Sequence, residues 1–289
     1  PPGTGKRRAA RTLAQAVRCR ELADDACGAC AECRAIEHGN HPLVQWIEPD
    51  GTGIRIEQIR RLQRDFSYRS DGGRKVYILS HADRMTTEAA NSLLKYLEEP
   101  ESDTVAILIA DNPHAVLPTL RSRSQWVRFV PTPPRDMLPA LREEGWPEPL
   151  ARAAAHLACG LDGARGLIQS KEFAELRNVV IKCMQASRPG AASLIIQNDL
   201  VKAGLAEHAE TVVDLILLWL KDLVHLAAGR RDAIVFADQT EQLAAKARAC
   251  GMAFWIGCME EAIRTKRMLR SHVNPQLALE RLIIRTQGG

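Results

Sequence analysis

The chain changes character once, and that change limits its fold more than any single residue does. Up to residue 130, short Val- and Ile-rich runs at 43–47, 76–79, 105–109 and 126–130 alternate with helical patterns. Between the second and third runs, Ala90, Leu93, Leu94 and Leu97 follow the i, i+3, i+4, i+7 spacing of one helix face. Pro100 is placed to end that helix. Strands alternating with helices predict a parallel α/β sheet. After Pro131-Thr-Pro-Pro134 the strand signals nearly vanish. Residues 150–157, 173–184, 212–226, 243–249 and 254–267 all carry helical periodicity. The Pro-rich stretch therefore reads as a domain boundary, with a small helical domain at about 135–178 and a larger one from about 179 onward. Gly160, Gly163 and Gly166 punctuate the smaller one, and Pro189-Gly190 reads as a turn.

Composition excludes several alternatives. The length of 289 residues suits two or three domains, and 46% apolar with 26% charged residues excludes disorder over most of the chain. The most apolar stretch, 212–226, is interrupted by Asp214, Lys221 and Asp222 and is shorter than the ~20 apolar residues a membrane span needs. No signal-peptide pattern is present. A net charge of +4 over this length says little about a polyanionic partner.

The chain opens Pro1-Pro-Gly-Thr-Gly-Lys6 ahead of a helical pattern. Gly3, Thr4, Gly5 and Lys6 match the end of a phosphate loop, in which backbone N–H groups and a lysine cradle phosphates at a helix N-terminus. The first glycine of that motif would precede Pro1, so the sequence reads as lacking its N-terminal residues. Arg7 stands where Ser or Thr would coordinate Mg²⁺, and a guanidinium cannot coordinate a cation. The second metal-binding element should be an apolar strand ending in Asp, often followed by Glu. Here the strand 76–79 ends in Ser80-His81-Ala82-Asp83. Asp83 lies up to ~10 Å beyond the strand tip in extended chain, too far to be assumed a substitute. ATP hydrolysis at this site is not expected, whereas ATP or ADP binding stays open.

Four of the eight cysteines, Cys19, Cys27, Cys30 and Cys33, fall within 15 residues. Two-residue spacers let adjacent thiolates wrap one ion, and Cys19 would close a tetrahedron. Zn²⁺ is the default ion for four thiolates; an iron–sulfur cluster, a redox Cys pair or independent thiols are the alternatives. A closed Cys₄ shell would be structural. His38 and His41 read as ordinary loop histidines rather than a fifth ligand.

These motifs converge. Together with Gly39-Asn-His-Pro42, Lys75-Val-Tyr-Ile-Leu79, Ala90-Asn-Ser-Leu-Leu-Lys-Tyr-Leu-Glu-Glu-Pro100, Leu120-Arg-Ser-Arg123 and Asn274-Pro-Gln-Leu-Ala-Leu-Glu280, they resemble the delta-prime family of subunits of the bacterial DNA polymerase III clamp loader. These are AAA+ proteins related to the tau/gamma subunit. Two features depart from the family pattern. Seven residues rather than eight lie between the first and second cysteines, and the Ser-Arg-Cys motif reads Ser122-Arg123-Ser124.

The resemblance implies an α/β plus all-α chain: an AAA+ RecA-like domain over 1–132 with a zinc module at 19–33, a helical lid over 133–178 and a helical oligomerisation collar over 179–289. It implies a subunit of a DNA-directed DNA polymerase holoenzyme, a nucleotidyltransferase complex, without ATPase activity of its own. Arg123 would be an arginine finger supplied in trans to ATP on a neighbouring tau/gamma subunit. Arg165 falls where the family's lid carries its second sensor arginine. The implied partners are tau/gamma, delta and, through the assembled complex, the sliding clamp and primer-template DNA, in the replisome of a bacterial cytoplasm. The basic run Arg264, Lys266, Arg267, Arg270 invites a DNA role, but a solvated face or subunit contact is at least as consistent with it. An ATP-hydrolysing tau/gamma-type subunit and a zinc-module nucleic-acid binder are the competing readings.

Overall fold

The computed structural model describes residues 1–67, 73–98, 103–186, 188–231, 233–271 and 273–287. The chain divides after Val130 into two compact units, Pro1–Val130 and Pro131–Gly289.

In the first unit, α1 (Lys6–Arg18) and α2 (Ala31–Glu37) precede β1 (Val44–Ile47). Then come α3 (Ile56–Ser67), β2 (Lys75–Leu79), α4 (Thr87–Glu98), β3 (Thr104–Leu108) and α5 (Pro118–Ser122). The strands form one parallel sheet in the order β1-β2-β3. All five residues of the central strand are buried, as expected of a parallel strand covered on both faces. Its alternation divides the core. Val76 and Ile78 pack with Ala10 and Ala14 of α1 and Ile36 of α2. Tyr77 and Leu79 pack with Ile59 and Leu62 of α3 and Leu93 and Leu94 of α4. The α4 face foreseen from its spacing is the buried one; Pro100, read as its stop, lies outside the described residues.

Residues 126–130 do not form the expected strand. β-Branched composition favours a strand only where a neighbour supplies a ladder, and no described strand lies alongside. Val127 and Val130 are 71% and 65% exposed. Trp126 turns back instead: its Nε1 donates to the Arg121 carbonyl at 3.1 Å, and the Arg121 guanidinium lies 5.2 Å from its ring centroid.

The second unit is helical: α6 (Pro134–Glu143), α7 (Glu148–Leu157), α8 (Leu161–Gln169), α9 (Lys171–Gln185), α10 (Pro189–Ile195), α11 (Ala209–Ala227), α12 (Thr240–Ala249), α13 (Met252–Arg270) and α14 (Pro275–Gln287). Pro189 begins a helix where a turn was expected, in keeping with proline's fit at the first helical position. One apolar cluster runs from Met137 to Ile283. α11 is buried nearly all round, as a central helix must be. Its one fully buried charge, Asp222, accepts the backbone N–H groups of Val235 (3.0 Å) and Phe236 (2.8 Å). That pins Phe236 edge-on against Trp219, ring centroids 5.0 Å apart.

Truncating Asp222 orphans two buried donors, so Asp222→Ala is expected to destabilise the protein by about 1–3 kcal/mol. Burial raises the Asp222 pKa, although the two N–H groups oppose the shift. A raised folded-state pKa contributes stability fully below the unfolded value, ~3.9, and loses it as pH rises through the folded value. The gap between wild type and Asp222→Ala should therefore narrow from about pH 4 to pH 7 in denaturant titrations. A gap that widens would contradict this account.

Candidate functional site

The parallel strands end in register, Ile47 beside Leu79 and Leu79 beside Leu108. The residues that follow them therefore collect along one sheet edge, the usual place for a site in such sheets. α1 also starts there. Gly3 and Gly5 take φ of 76° and 79°, a left-handed conformation that glycine adopts without strain, and Gly5 caps the helix. The next three residues are Lys6, Arg7 and Arg8, with no acidic residue in the first turn. Cations at the positive end of a helix dipole are unfavourable unless an anion joins them.

Carboxylates supply those anions. Lys6 Nζ is paired with Asp111 and donates to the Pro1 carbonyl at 2.7 Å. Asp111 also faces His81 Nδ1 at 3.3 Å. Partial burial pushes the Asp111 pKa up, but Lys6 and then His81 outweigh it and hold the carboxyl below its ordinary range. Asp83 accepts the backbone N–H groups of Asp111 (3.2 Å) and Asn112 (3.3 Å), so it anchors the chain after β3.

Arg7 and Ser80, expected from the sequence to stand in place of metal-coordinating side chains, meet on one tryptophan. The Arg7 guanidinium lies 5.1 Å from the Trp46 ring centroid and pairs with Glu48. Trp46 Nε1 donates to Ser80 Oγ at 2.8 Å. Ser80 is buried.

The four cysteines come together. Their sulfurs all lie within 4.8 Å of one another. Cys27 and Cys33 are 4.0 Å apart, close to the ~3.8 Å edge of a tetrahedron of thiolates around Zn²⁺. Backbone N–H groups point at the sulfurs: Leu22 at Cys19 (3.4 Å), Cys30 at Cys27 (3.2 Å) and Cys33 at Cys30 (3.4 Å). The Cys33 N–H and then the Arg20 backbone lower the Cys30 thiol to about 6, whereas burial pushes Cys33 up to about 12. The loop is fixed from outside. Gln15 Nε2 donates to the Cys33 carbonyl at 2.9 Å. Glu32 receives Arg18 (3.1 Å), Arg20 (2.7 Å) and His41 (2.6 Å). His41 Nδ1 accepts the Leu43 N–H, so Nε2 carries the proton toward Glu32. His41 thus braces the site from outside the sulfur cluster. The donor set and spacing fit a bound metal.

Arg123 caps the C-terminus of α5, a helix anchored by buried Leu120. Its Nη2 lies 2.6 Å from Glu98 Oε1, with both side chains about half exposed.

Residues 1–133 match the family model described as DNA polymerase III, delta subunit, and residues 171–288 match DNA polymerase III, delta subunit, C terminal. The DNA polymerase III subunit delta' of Bacillus subtilis (strain 168) is 35% identical over 291 residues, spanning 99% of this chain and 88% of that one. The chain belongs to the DNA polymerase III delta-prime family. The Pseudomonas aeruginosa delta' subunit is 42% identical over 127 residues, 43% of this chain and 39% of that one. The Bacillus subtilis tau subunit is 34% identical over 132 residues, 45% of this chain and 23% of that one.

Arg165 and two cations of the basic run of this delta-prime-type chain are paired within their own unit. Arg165 is held by Glu144 (2.5 Å) and Asp162 (3.1 Å). In the basic run, Lys266 pairs with Asp214 (2.5 Å) and Arg270 with Glu210 (3.1 Å), tying α13 to α11. Sequence reading missed Trp46, Glu48, Glu98 and Asp111. Asp111 was findable, because it follows a parallel strand at the sheet edge where sites collect. Trp46 carried no such signal, since its pattern is that of an ordinary strand residue.

The purified protein is expected to hold about one equivalent of metal. Cobalt(II) substitution should give thiolate-to-metal absorption, and Cys27→Ser should lose it together with thermal stability. Metal-free protein with unchanged melting after chelation would refute the site.

Proposed function

We propose that this chain is a clamp-loader subunit that does not hydrolyse ATP itself and supplies Arg123 in trans to ATP bound by a neighbouring tau/gamma subunit. The observation that carries the first half is the Arg7–Trp46–Ser80 corner. Mg²⁺ needs hard oxygen ligands, and the corner offers a guanidinium, an indole, a hydroxyl already engaged by that indole and a carboxylate, Glu48, already paired with Arg7. The two residues that follow β2 are Ser80 and His81 rather than carboxylates, and the nearby Asp111 is paired with Lys6. Nucleotide at Gly3, Thr4, Gly5 and Lys6 would compete with Asp111 for the lysine. In this reading residues 1–132 are the AAA+ module, 133–178 the lid and 179–289 the collar, and the four cysteines hold a structural Zn²⁺.

The second half rests on family membership and on the half-exposed Arg123 guanidinium. A planar, permanently charged fork can neutralise charge developing on phosphoryl oxygens. The collar reading is supported by exposed apolar side chains at helix-face spacing. Met252, Ile256 and Ile263 lie along α13, and Leu277 and Ile284 along α14. Such faces suit packing against tau/gamma and delta. Sliding clamp and primer-template DNA would be met through the assembled complex. No helix among the described residues is long and apolar enough to cross a membrane. The place proposed for the chain is the cytoplasmic replisome.

The isolated chain should show no ATP turnover above background, with or without Lys6→Ala. Robust turnover abolished by Lys6→Ala would favour an active tau/gamma-type ATPase instead. In a complex reconstituted with tau/gamma and delta, Arg123→Ala should leave assembly intact and slow DNA-stimulated hydrolysis at the site it serves by about tenfold or more. Unchanged hydrolysis would remove the finger assignment.

A further inference from the structure

An arginine that reaches across a subunit boundary faces a physical difficulty. Its side chain is long and loses much rotamer freedom when held in one pose. A finger that swings freely in solvent must be ordered anew each time it meets its phosphate. Arg123 does not swing freely here. Its Nη2 is tied at 2.6 Å to Oε1 of Glu98, the last residue of α4. The end of a helix adds a second attraction, because its unpaired carbonyls favour a cation. Both backbones are set by the core. α4 buries Ala90, Leu93 and Leu94 against the sheet, and α5 buries Leu120 into the same cluster. Ser124 Oγ donates to the Leu120 carbonyl at 2.7 Å and fixes the turn that carries Arg123.

We propose that Glu98 is a positioning residue for Arg123, anchoring one edge of the guanidinium so that its remaining N–H groups face a phosphate on a neighbouring subunit. This rests on the arginine-finger reading above. The fork geometry permits it: one terminal nitrogen, Nη2, contacts Glu98, while the other N–H groups point elsewhere in the guanidinium plane. Among the described residues Arg123 makes no other ion pair, and about half of its side chain is open to solvent. Glu98 brings a negative charge near the incoming phosphate, which opposes the gain. That charge is itself half exposed, so solvent and salt screen its reach to a phosphate, whereas the Nη2–Oε1 contact that holds the guanidinium acts at 2.6 Å and is screened less. Orientation is therefore the larger effect. A 1 Å misplacement of such a group lowers rate rather than substrate binding.

The test uses the reconstituted complex with tau/gamma and delta, comparing Glu98→Ala, Glu98→Gln, Arg123→Ala and Glu98→Ala/Arg123→Ala in DNA-stimulated ATP hydrolysis. Glu98→Ala is expected to lower kcat about two- to fivefold, the scale of an exposed ion pair, with KM for ATP little changed. Glu98→Gln keeps an acceptor oxygen and should recover most of the rate. The double variant should be no slower than Arg123→Ala alone. A rate increase in Glu98→Ala would show that the carboxylate competes with phosphate and would overturn the proposal. So would a Gln variant as slow as the Ala variant, or additive effects in the double variant. If Arg123→Ala itself leaves hydrolysis unchanged, the finger reading fails and this inference falls with it. A slow Arg123→Ala beside an unaffected Glu98→Ala refutes the positioning role alone.

Discussion

Burial of the central strand β2 is the constraint on which the rest of the first unit depends. Five consecutive buried residues need cover on both faces. That need places α1 on one side and α3 with α4 on the other. It also makes the strand rigid up to Leu79, so Ser80 and His81 emerge at a fixed point. His81 is the one described non-glycine residue with positive φ, 55°, and it marks the sharp turn by which the chain leaves the sheet. Positions at that turn are therefore set by core packing, and small changes of side chain there alter chemistry without altering fold.

Trp46 shows how such positions become linked. An indole beside the strand tip supplies one N–H donor and its ring faces. The donor is taken by Ser80, and the Arg7 and Arg11 guanidinium groups lie over the ring. A cation over an aromatic ring gains about 0.5–1 kcal/mol at exposed sites, and Glu48 adds a second partner. Trp46 thus joins Arg7 and Ser80, far apart in sequence, in one arrangement.

Much of this was legible from the residues. The central strand, the α4 face, the four-cysteine cluster and the helical second unit each rest on local pattern, and local pattern is what sequence displays. What escaped was pairing across long separations. Lys6 with Asp111, Arg123 with Glu98 and Trp46 with Ser80 join residues on different elements, brought together only by the sheet and its helices. Residues 126–130 failed for the related reason that a strand is a relation between two segments, and apolar composition describes only one. The cysteines were the exception because their spacing is short and their chemistry almost unshared by other residues.

The two principal cations of the first unit differ in one respect that bears on function. Lys6 and Asp111 have side chains 13% and 26% exposed, against 49% and 48% for Arg123 and Glu98. A phosphate arriving at Lys6 must displace a half-desolvated carboxylate that is also held by His81 and whose backbone is tied to Asp83. Reaching Arg123 requires no displacement, since the guanidinium is open on the side away from Glu98. Screening by water weakens an exposed pair far more than a partly buried one. The same fold thus engages the cation at the start of α1 and leaves another open at its surface, the division that the proposed action of Arg123 on a neighbour's nucleotide would need.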